Sequence, residues 1–291
     1  MSYHQTCMYT DQRKLTAKRL TEEATLKVMN QSIPKLNAIW LETTGCSGNI
    51  ISFLNGGIPN AYEVLTNIVN LTFSNSIMGA EGDAAFELFL ETLETEFILL
   101  VDGAVAMKNN GLYNILANYK GQNITAYEAV RMAGEKAKYV VAVGTCAAYG
   151  GISAARPNPS ECKSVSEVLN RTVIRLPTCP CNPDWIIGTI SHLSMYGMLD
   201  LDEEGRPFLF YSHTIHDTCT RRGFFDAGYF AQSFGEEGCM FLVGCKGPIT
   251  KTECARTRWN NAVNWPIGNN TNCIGCGNPG FPDETEPFVR Y

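Results

Sequence analysis

Twelve cysteines are the residues of this 291-residue sequence that point most directly to chemistry. They occupy positions Cys7, Cys46, Cys146, Cys162, Cys179, Cys181, Cys219, Cys239, Cys245, Cys254, Cys273 and Cys276. Disulfides are rare in reducing compartments, so a cysteine-rich chain in such a compartment more often binds metal or performs redox chemistry.

Two spacings in the last quarter of the chain are typical of metal ligands. They are His216-x2-Cys219 followed by Cys239-x5-Cys245, and Cys254 followed by Cys273-x2-Cys276. Zinc is the obvious competitor, because tetrahedral Cys/His sites use similar short spacings. Cys273-x2-Cys276 alone could also be half of a zinc ribbon or a thiol–disulfide motif. The second group has three cysteines and no fourth, which suits an iron–sulfur cluster lacking one iron better than structural zinc.

Three further cysteines follow predicted strands. Apolar strands are expected at 36–41, 96–101, 139–143 and 172–176, with helices at 59–70, 79–95, 124–136 and 163–170. This alternation predicts a parallel α/β sheet. Cys46, Cys146 and Cys179 come just after three of the strands, at the sheet edge where α/β proteins bind ligands. Each cysteine alone could be a small buried residue, but three at one edge favour a site.

The chain divides into three predicted parts: a polar, partly helical extension over 1–35, an α/β domain over 36–188, and a loop-rich domain over 189–291. Regular periodicity fades after residue 188 while Gly, Pro and Cys become frequent. Such a segment buries little apolar surface and needs cross-links or metal clusters to hold it together.

The charge and hydropathy of the chain limit the partners and the cellular location that we expect for it. The formal net charge of −6 argues against nucleic-acid binding, which needs clustered Lys and Arg. We find no apolar stretch approaching about 18 residues and no secretory leader pattern. The last residues are polar. From these features we expect a cytoplasmic protein, or one peripheral on the inner membrane face.

Seven short motifs follow one another along residues 36–280. They are Trp40–Cys46, Val101–Val105, Gly144–Gly151, Cys179–Trp185, His216–Arg222, Gly244–Pro248 and Cys273–Cys276. In these motifs the sequence resembles the small, electron-transferring subunit of nickel–iron hydrogenases. All seven occur in family order, whereas false motif matches normally come singly.

The resemblance implies a flavodoxin-like parallel-sheet domain with a proximal cluster, followed by an iron–sulfur domain with medial and distal clusters. By position, the proximal cluster would be bound by Cys46, Cys146 and Cys179, the distal 4Fe-4S cluster by His216, Cys219, Cys239 and Cys245, and the medial 3Fe-4S cluster by Cys254, Cys273 and Cys276. Pro266 stands where a fourth medial ligand would be. A His ligand tends to raise a cluster's potential, as His-for-Cys replacement does elsewhere.

The proximal motif departs from the family. Most relatives have a second cysteine three residues after the first, and here that position is Asn49. The proximal cluster could therefore be 3Fe-4S, or 4Fe-4S with an oxygen ligand or with Cys181 as a substitute. Cys181 could equally be a small residue packed beside the cluster. Gly45 stands where many relatives have Glu.

The resemblance implies an electron-relay subunit of a hydrogenase whose Ni–Fe centre lies in a partner large subunit. Electrons from H2 would pass through three iron–sulfur clusters to a quinone, a carrier protein or a further subunit, in a dimer of heterodimers or a larger assembly. The missing leader and anchor resemble the cytosolic uptake and H2-sensing branches. One alternative is an H2-sensing regulatory subunit, and another is a non-redox binding protein stabilised by zinc or disulfides.

Overall fold

The structure, a computed structural model, describes residue 16 and residues 19–30, 33–259 and 264–285. Most of the predicted 1–35 extension lies outside these residues, but residues 19–29 form a helix (α1) as expected.

The strands are β1 Leu36–Glu42, β2 Val69–Ser74, β3 Phe97–Asp102, β4 Val105–Ala106, β5 Ile115–Tyr119, β6 Gln122–Thr125, β7 Tyr139–Val143, β8 Cys162–Lys163 and β9 Ile174–Leu176.

Five of these strands form one parallel sheet in the order β2-β1-β3-β7-β9. This is the flavodoxin-like order, in which the chain reverses direction across the sheet between β1 and β3. The predicted α/β class is confirmed. The sequence missed β2, whose first residues were assigned to a helix over 59–70; the helix ends at Asn67 without a Gly or Pro to mark the change.

Helices cover both faces of the sheet because successive strand side chains point to opposite faces. In β1, Ala38 and Trp40 pack under one helical layer, whereas Ile39 and Leu41 pack under the other. The helices of this part are α2 Gly48–Leu54, α3 Ala61–Asn67, α4 Gly82–Thr92, α5 Lys108–Gly111, α6 Ala126–Lys136, α7 Gly144–Tyr149, α8 Val165–Val168 and α9 Pro183–Tyr196. Both faces of the sheet are thus buried, and a binding site can form at the edge where the carboxyl ends of the strands lie.

Side-chain caps fix where several helices begin. Asn60, Thr125 and Ser164 each accept a hydrogen bond from the backbone of a Glu three residues later, and that Glu side chain bonds back to the cap. These capping boxes satisfy backbone groups that a helix end would otherwise leave unpaired.

The C-terminal part is built from short elements: α10 Phe208–Tyr211, α11 Ile215–Thr218, α12 Arg222–Asp226, α13 Cys254–Thr257 and 3-10 turns at Met240–Val243, Gly247–Ile249 and Ile267–Asn269. Its small core includes Ile215, Trp265 and Ile267 together with two cysteines, Cys254 and Cys273. The division at residue 188 stays a prediction, and α9 runs through that position.

Within the described residues, no helix combines the length and apolar character needed to cross a membrane.

Candidate functional site

Cys46, Cys146 and Cys179 lie at the carboxyl edge of the parallel sheet. Cys46 lies in the loop between β1 and α2, Cys146 in the first turns of α7 directly after β7, and Cys179 in the loop after β9. Burial, with a smaller contribution from the nearby thiols Cys146 and Cys46, raises the pKa of Cys179 to about 11. Cys46 is exposed and the other two are half-buried. The fold therefore brings the three predicted proximal thiols together near the protein surface.

Two glycines leave room beside these thiols. A Cβ at Gly151 would lie 3.0 Å from Cys146 Sγ, and one at Gly48 would lie 3.1 Å from Cys46 Sγ. Both distances are shorter than ordinary carbon–sulfur contacts. The thiols are therefore flanked by bare backbone, a surrounding that fits an inorganic cluster.

Asn49, at the position expected for a fourth proximal ligand, is buried and fully hydrogen-bonded. Its Nδ2 donates to Asp102 Oδ1 at 2.7 Å and to the carbonyl of Val143 at 3.4 Å, and its Oδ1 accepts from the backbone N–H of Cys181 at 2.7 Å. Both donors and the acceptor of this amide are thus used inside the protein.

Cys181 lies in the core rather than among the proximal thiols. It is fully buried in the cluster that contains Trp185 and Tyr211, and its Sγ is 3.7 Å from the carbonyl oxygen of Asn182. Burial raises its pKa strongly. The structure thus places Cys181 as a packed core residue, and its role as a substitute ligand stays a prediction.

Asp102 is a buried carboxyl at this edge that the sequence analysis did not single out. It ends β3, and Oδ2 has no hydrogen-bond partner among the described residues. Burial raises its pKa to about 7, while the bond from Asn49 lowers it. The sequence does carry a signal for this carboxyl, because Asp102 directly follows the apolar run 97–101.

Cys254, Cys273 and Cys276, the predicted medial ligands, are all buried. Burial, with a smaller contribution from the thiol of Cys254, raises the pKa of Cys276 to about 12. The N–H of Gly275 donates to Cys273 Sγ at 3.4 Å. Pro266 precedes the 3-10 turn Ile267–Asn269, and its neighbours Trp265 and Ile267 pack with Cys254 and Cys273.

The predicted distal ligands His216, Cys219, Cys239 and Cys245 line one cavity, together with Phe241 and Ile267 among others. Burial, with smaller contributions from the thiols of Cys245 and Cys239, raises the pKa of Cys219 to about 11. Burial and Arg222 lower the pKa of His216, which favours the neutral imidazole that can ligate a metal. The ring of Phe225 stands edge-on to this imidazole at 4.6 Å.

Backbone N–H groups point at two of the distal thiols. Arg221 N–H donates to Cys219 Sγ and Gly247 N–H to Cys245 Sγ, each at 3.4 Å. Cys273 receives the same bond from the residue two positions later. Such bonds stabilise the thiolate form, so this donor set fits an iron–sulfur cluster.

The three groups are neighbours in a fixed order. Thr145 Oγ1, next to Cys146, donates a hydrogen bond to the carbonyl of Cys276. On the other side, the Cys245 thiol raises the pKa of Cys273, and Lys246 N–H donates to Cys273 O at 2.8 Å. The medial group therefore lies between the proximal and distal groups.

Eleven of the cysteines lie in the described part of the chain and each is free. In that same part, no three Cys, His, Asp or Glu side chains converge on one point as a single metal ion would require.

Comparison with known proteins supports the same assignment. Residues 211–289 match the family profile for the C-terminal region of the NiFe/NiFeSe hydrogenase small subunit, and residues 46–193 match "NADH ubiquinone oxidoreductase, 20 Kd subunit". The chain is 38% identical over 280 residues to the periplasmic [NiFeSe] hydrogenase small subunit of Desulfomicrobium baculatum, covering 89% of each chain. It is 35% identical over 263 residues to the quinone-reactive Ni/Fe-hydrogenase small chain of Wolinella succinogenes, covering 87% of this chain and 73% of that one.

Solved structures agree. The [NiFeSe] hydrogenase structure from Dm. baculatum superposes with a TM-score of 0.82 at 38% identity, covering 87% of this chain and 98% of that one. The actinobacterial-type NiFe-hydrogenase of Ralstonia eutropha superposes with a TM-score of 0.82 at 27% identity, covering 88% and 82%.

The expected cytoplasmic location is wrong, because relatives from Dm. baculatum and Solidesulfovibrio fructosivorans are named periplasmic. The expectation rested on the lack of a long apolar stretch and of a secretory leader pattern in the sequence. Assignment to the cytosolic uptake or sensing branch has no support from these relatives either.

Proposed function

This chain belongs to the family of nickel–iron hydrogenase small subunits, and we propose that it conducts electrons from the Ni–Fe site of its large subunit through three iron–sulfur clusters. The spatial order of the cysteine groups carries the proposal. The medial group is linked to the proximal group by the hydrogen bond from Thr145 to the carbonyl of Cys276, and to the distal group by the bond from Lys246 N–H to the carbonyl of Cys273. A relay needs redox centres that follow one another closely, whereas isolated structural metal sites need no such order.

The proposed ligands divide as the sequence motifs suggest. Cys46, Cys146 and Cys179 hold the proximal cluster. Cys254, Cys273 and Cys276 hold a medial 3Fe-4S cluster, with Pro266 at the position of the missing ligand. His216, Cys219, Cys239 and Cys245 hold a distal 4Fe-4S cluster. Each cluster, when bound, supplies one-electron redox chemistry.

The chain's own groups would tune these clusters. The N–H bonds to Cys219, Cys245 and Cys273 withdraw charge from the thiolates, which raises the reduction potential of the cluster they bind. Burial of the three medial cysteines excludes water from the middle of the relay. The exposed Cys46 places the proximal end at the surface, where the large subunit would dock.

Beyond the large subunit, the acceptor would be a quinone, a carrier protein or a further subunit. The Wolinella relative is named quinone-reactive, which makes a quinone-linked acceptor the first to test. Assembly would be as a dimer of heterodimers or larger.

The test uses the chain purified with its large subunit. Three clusters predict about 10 to 11 cluster iron atoms per heterodimer, in addition to the iron of the Ni–Fe centre, together with a brown colour and H2-dependent dye reduction. Spin quantification by EPR on the oxidised complex counts the three-iron clusters, because oxidised four-iron clusters are nearly silent.

A matched pair of variants locates the clusters. Cys273→Ser should abolish the medial three-iron signal, whereas Cys162→Ser, a substitution of a buried cysteine outside the three proposed groups, should leave iron content and dye reduction unchanged. A colourless wild-type complex without iron would overturn the proposal, as would equal losses in the two variants.

A further inference from the structure

We infer that Asn49 is a positioning residue for the proximal cluster: its amide ties together the loops that carry the three proximal cysteines and does not ligate iron. The inference rests on the proposed function, since it concerns how that site is assembled. It assigns a role to the position where the sequence departs from the family.

One side chain reaches the ends of all the strands that build the site. Asn49 itself lies in α2, three residues after Cys46. Its amide bonds to Asp102 at the end of β3, to Val143 at the end of β7, and to Cys181 in the loop after β9. Val143 lies three residues before Cys146, and Cys181 lies two residues after Cys179. Each proximal cysteine is therefore within three residues of an atom that belongs to this network.

The network needs an amide. Asp102 Oδ1 and the carbonyl of Val143 both accept, so the side chain between them must donate twice, and the N–H of Cys181 needs an acceptor. Only Asn and Gln offer both functions. A carboxylate or thiolate at position 49 would place a second acidic group against Asp102 instead of a donor.

Packing holds the amide in place and leaves no space for a longer side chain. Gly144 passes directly over it with φ of +81°, and a Cβ there would lie 2.3 Å from Asn49 Nδ2. Asn49 is only 7% exposed. To reach iron, the amide would have to turn out of this slot and break its hydrogen bonds to Asp102, Val143 and Cys181.

Ligand preference agrees with this reading. Iron in sulfur clusters selects soft thiolates, and an amide oxygen is a poor substitute. Cys46, Cys146 and Cys179 would then be the only protein ligands of the proximal cluster in this chain. The family's fourth thiolate has been exchanged for a hydrogen-bonded link between loops.

The test exchanges the two members of the Asn49–Asp102 bond in the heterodimer. If Asn49 ligated iron, Asn49→Asp would retain the cluster, because a carboxylate binds iron better than an amide does. If Asn49 is the link, Asn49→Asp sets two carboxyl groups against each other and should lose the proximal cluster. That loss would be about three to four iron atoms per heterodimer, with medial and distal signals preserved.

The double variant Asn49→Asp/Asp102→Asn restores a carboxyl–amide pair with the donor reversed. It should recover at least half of the lost iron and the proximal EPR signal. Asn60→Asp, the same substitution at the cap of α3, is the control and should keep all iron. Proximal iron retained in Asn49→Asp would overturn the inference, and so would a double variant no better than the single one. Failure of the proposed function is separate, because it would appear as missing iron in the wild-type complex.

Discussion

Replacing Gly144 by Ala should disrupt the proximal edge far more than the same change at Gly121. Both residues have a left-handed backbone, with φ of +81° and +79°, so an added Cβ costs each site a similar ~1–2 kcal/mol. Nothing lies within 4 Å of a Cβ at Gly121. At Gly144 the new methyl would lie 2.3 Å from Nδ2 of Asn49 and 2.8 Å from its Cγ. The difference between the two variants therefore isolates the collision with the amide.

The extra cost at Gly144 can be estimated from that contact. Overpacking of a tight site costs ~1–3 kcal/mol. Displacing Asn49 also breaks its two 2.7 Å hydrogen bonds, at ~1 kcal/mol each. The total is roughly 3–5 kcal/mol. At ~2–4 °C per kcal/mol for a chain of about this size, the expected decrease in unfolding midpoint is on the order of 10 °C beyond that of Gly121→Ala.

The assay is thermal unfolding of the two variant heterodimers under identical conditions, with iron analysis of each. Midpoints are compared rather than free energies, because a cofactor-bearing complex does not unfold in two states. Gly144→Ala should also lose proximal iron, whereas Gly121→Ala should retain it. Midpoints within about 2 °C of each other, with equal iron, would refute the packing of Asn49 under Gly144.

Three further predictions follow from the site. Cys146→Ser should remove about three to four iron atoms and impair dye reduction, whereas Cys162→Ser should do neither; iron analysis and H2-dependent dye assays decide. His216→Cys should keep distal iron but lower that cluster's potential by on the order of 100 mV in a redox titration, because imidazole ligation raises potentials. The raised pKa of Asp102, about 7 against an ordinary 3.8, means the folded chain binds a proton that the unfolded chain releases. Stability should therefore fall by up to ~4 kcal/mol from pH 4 to 7, and Asp102→Asn should flatten the pH dependence of the unfolding midpoint.

The sequence determined the parallel α/β class and predicts the grouping of the cysteines, because both depend on local patterns. Apolar runs ending at Cys46, Cys146 and Cys179 predict strands whose ends must meet at one edge, since the strands are parallel. Short spacings such as Cys273-x2-Cys276 predict a shared ligand set, because two cysteines separated by only two residues lie within one turn of the chain. Such local patterns do not specify the cellular compartment of the protein, and for that reason the cytoplasmic expectation was wrong.

Only the tertiary structure decided which groups Asn49, Asp102 and Cys181 contact. These residues lie more than 50 positions apart, and their hydrogen bonds depend on the order in which the strands pair. Cys181, two residues from Cys179, was a candidate ligand by spacing, yet packing turns its thiol into the core beside Tyr211. The hydrogen bond from Thr145 to the carbonyl of Cys276 likewise joins segments distant in sequence. Composition and spacing specify which residues can bind clusters; the packing of distant loops sets their order and the neighbours of each thiol.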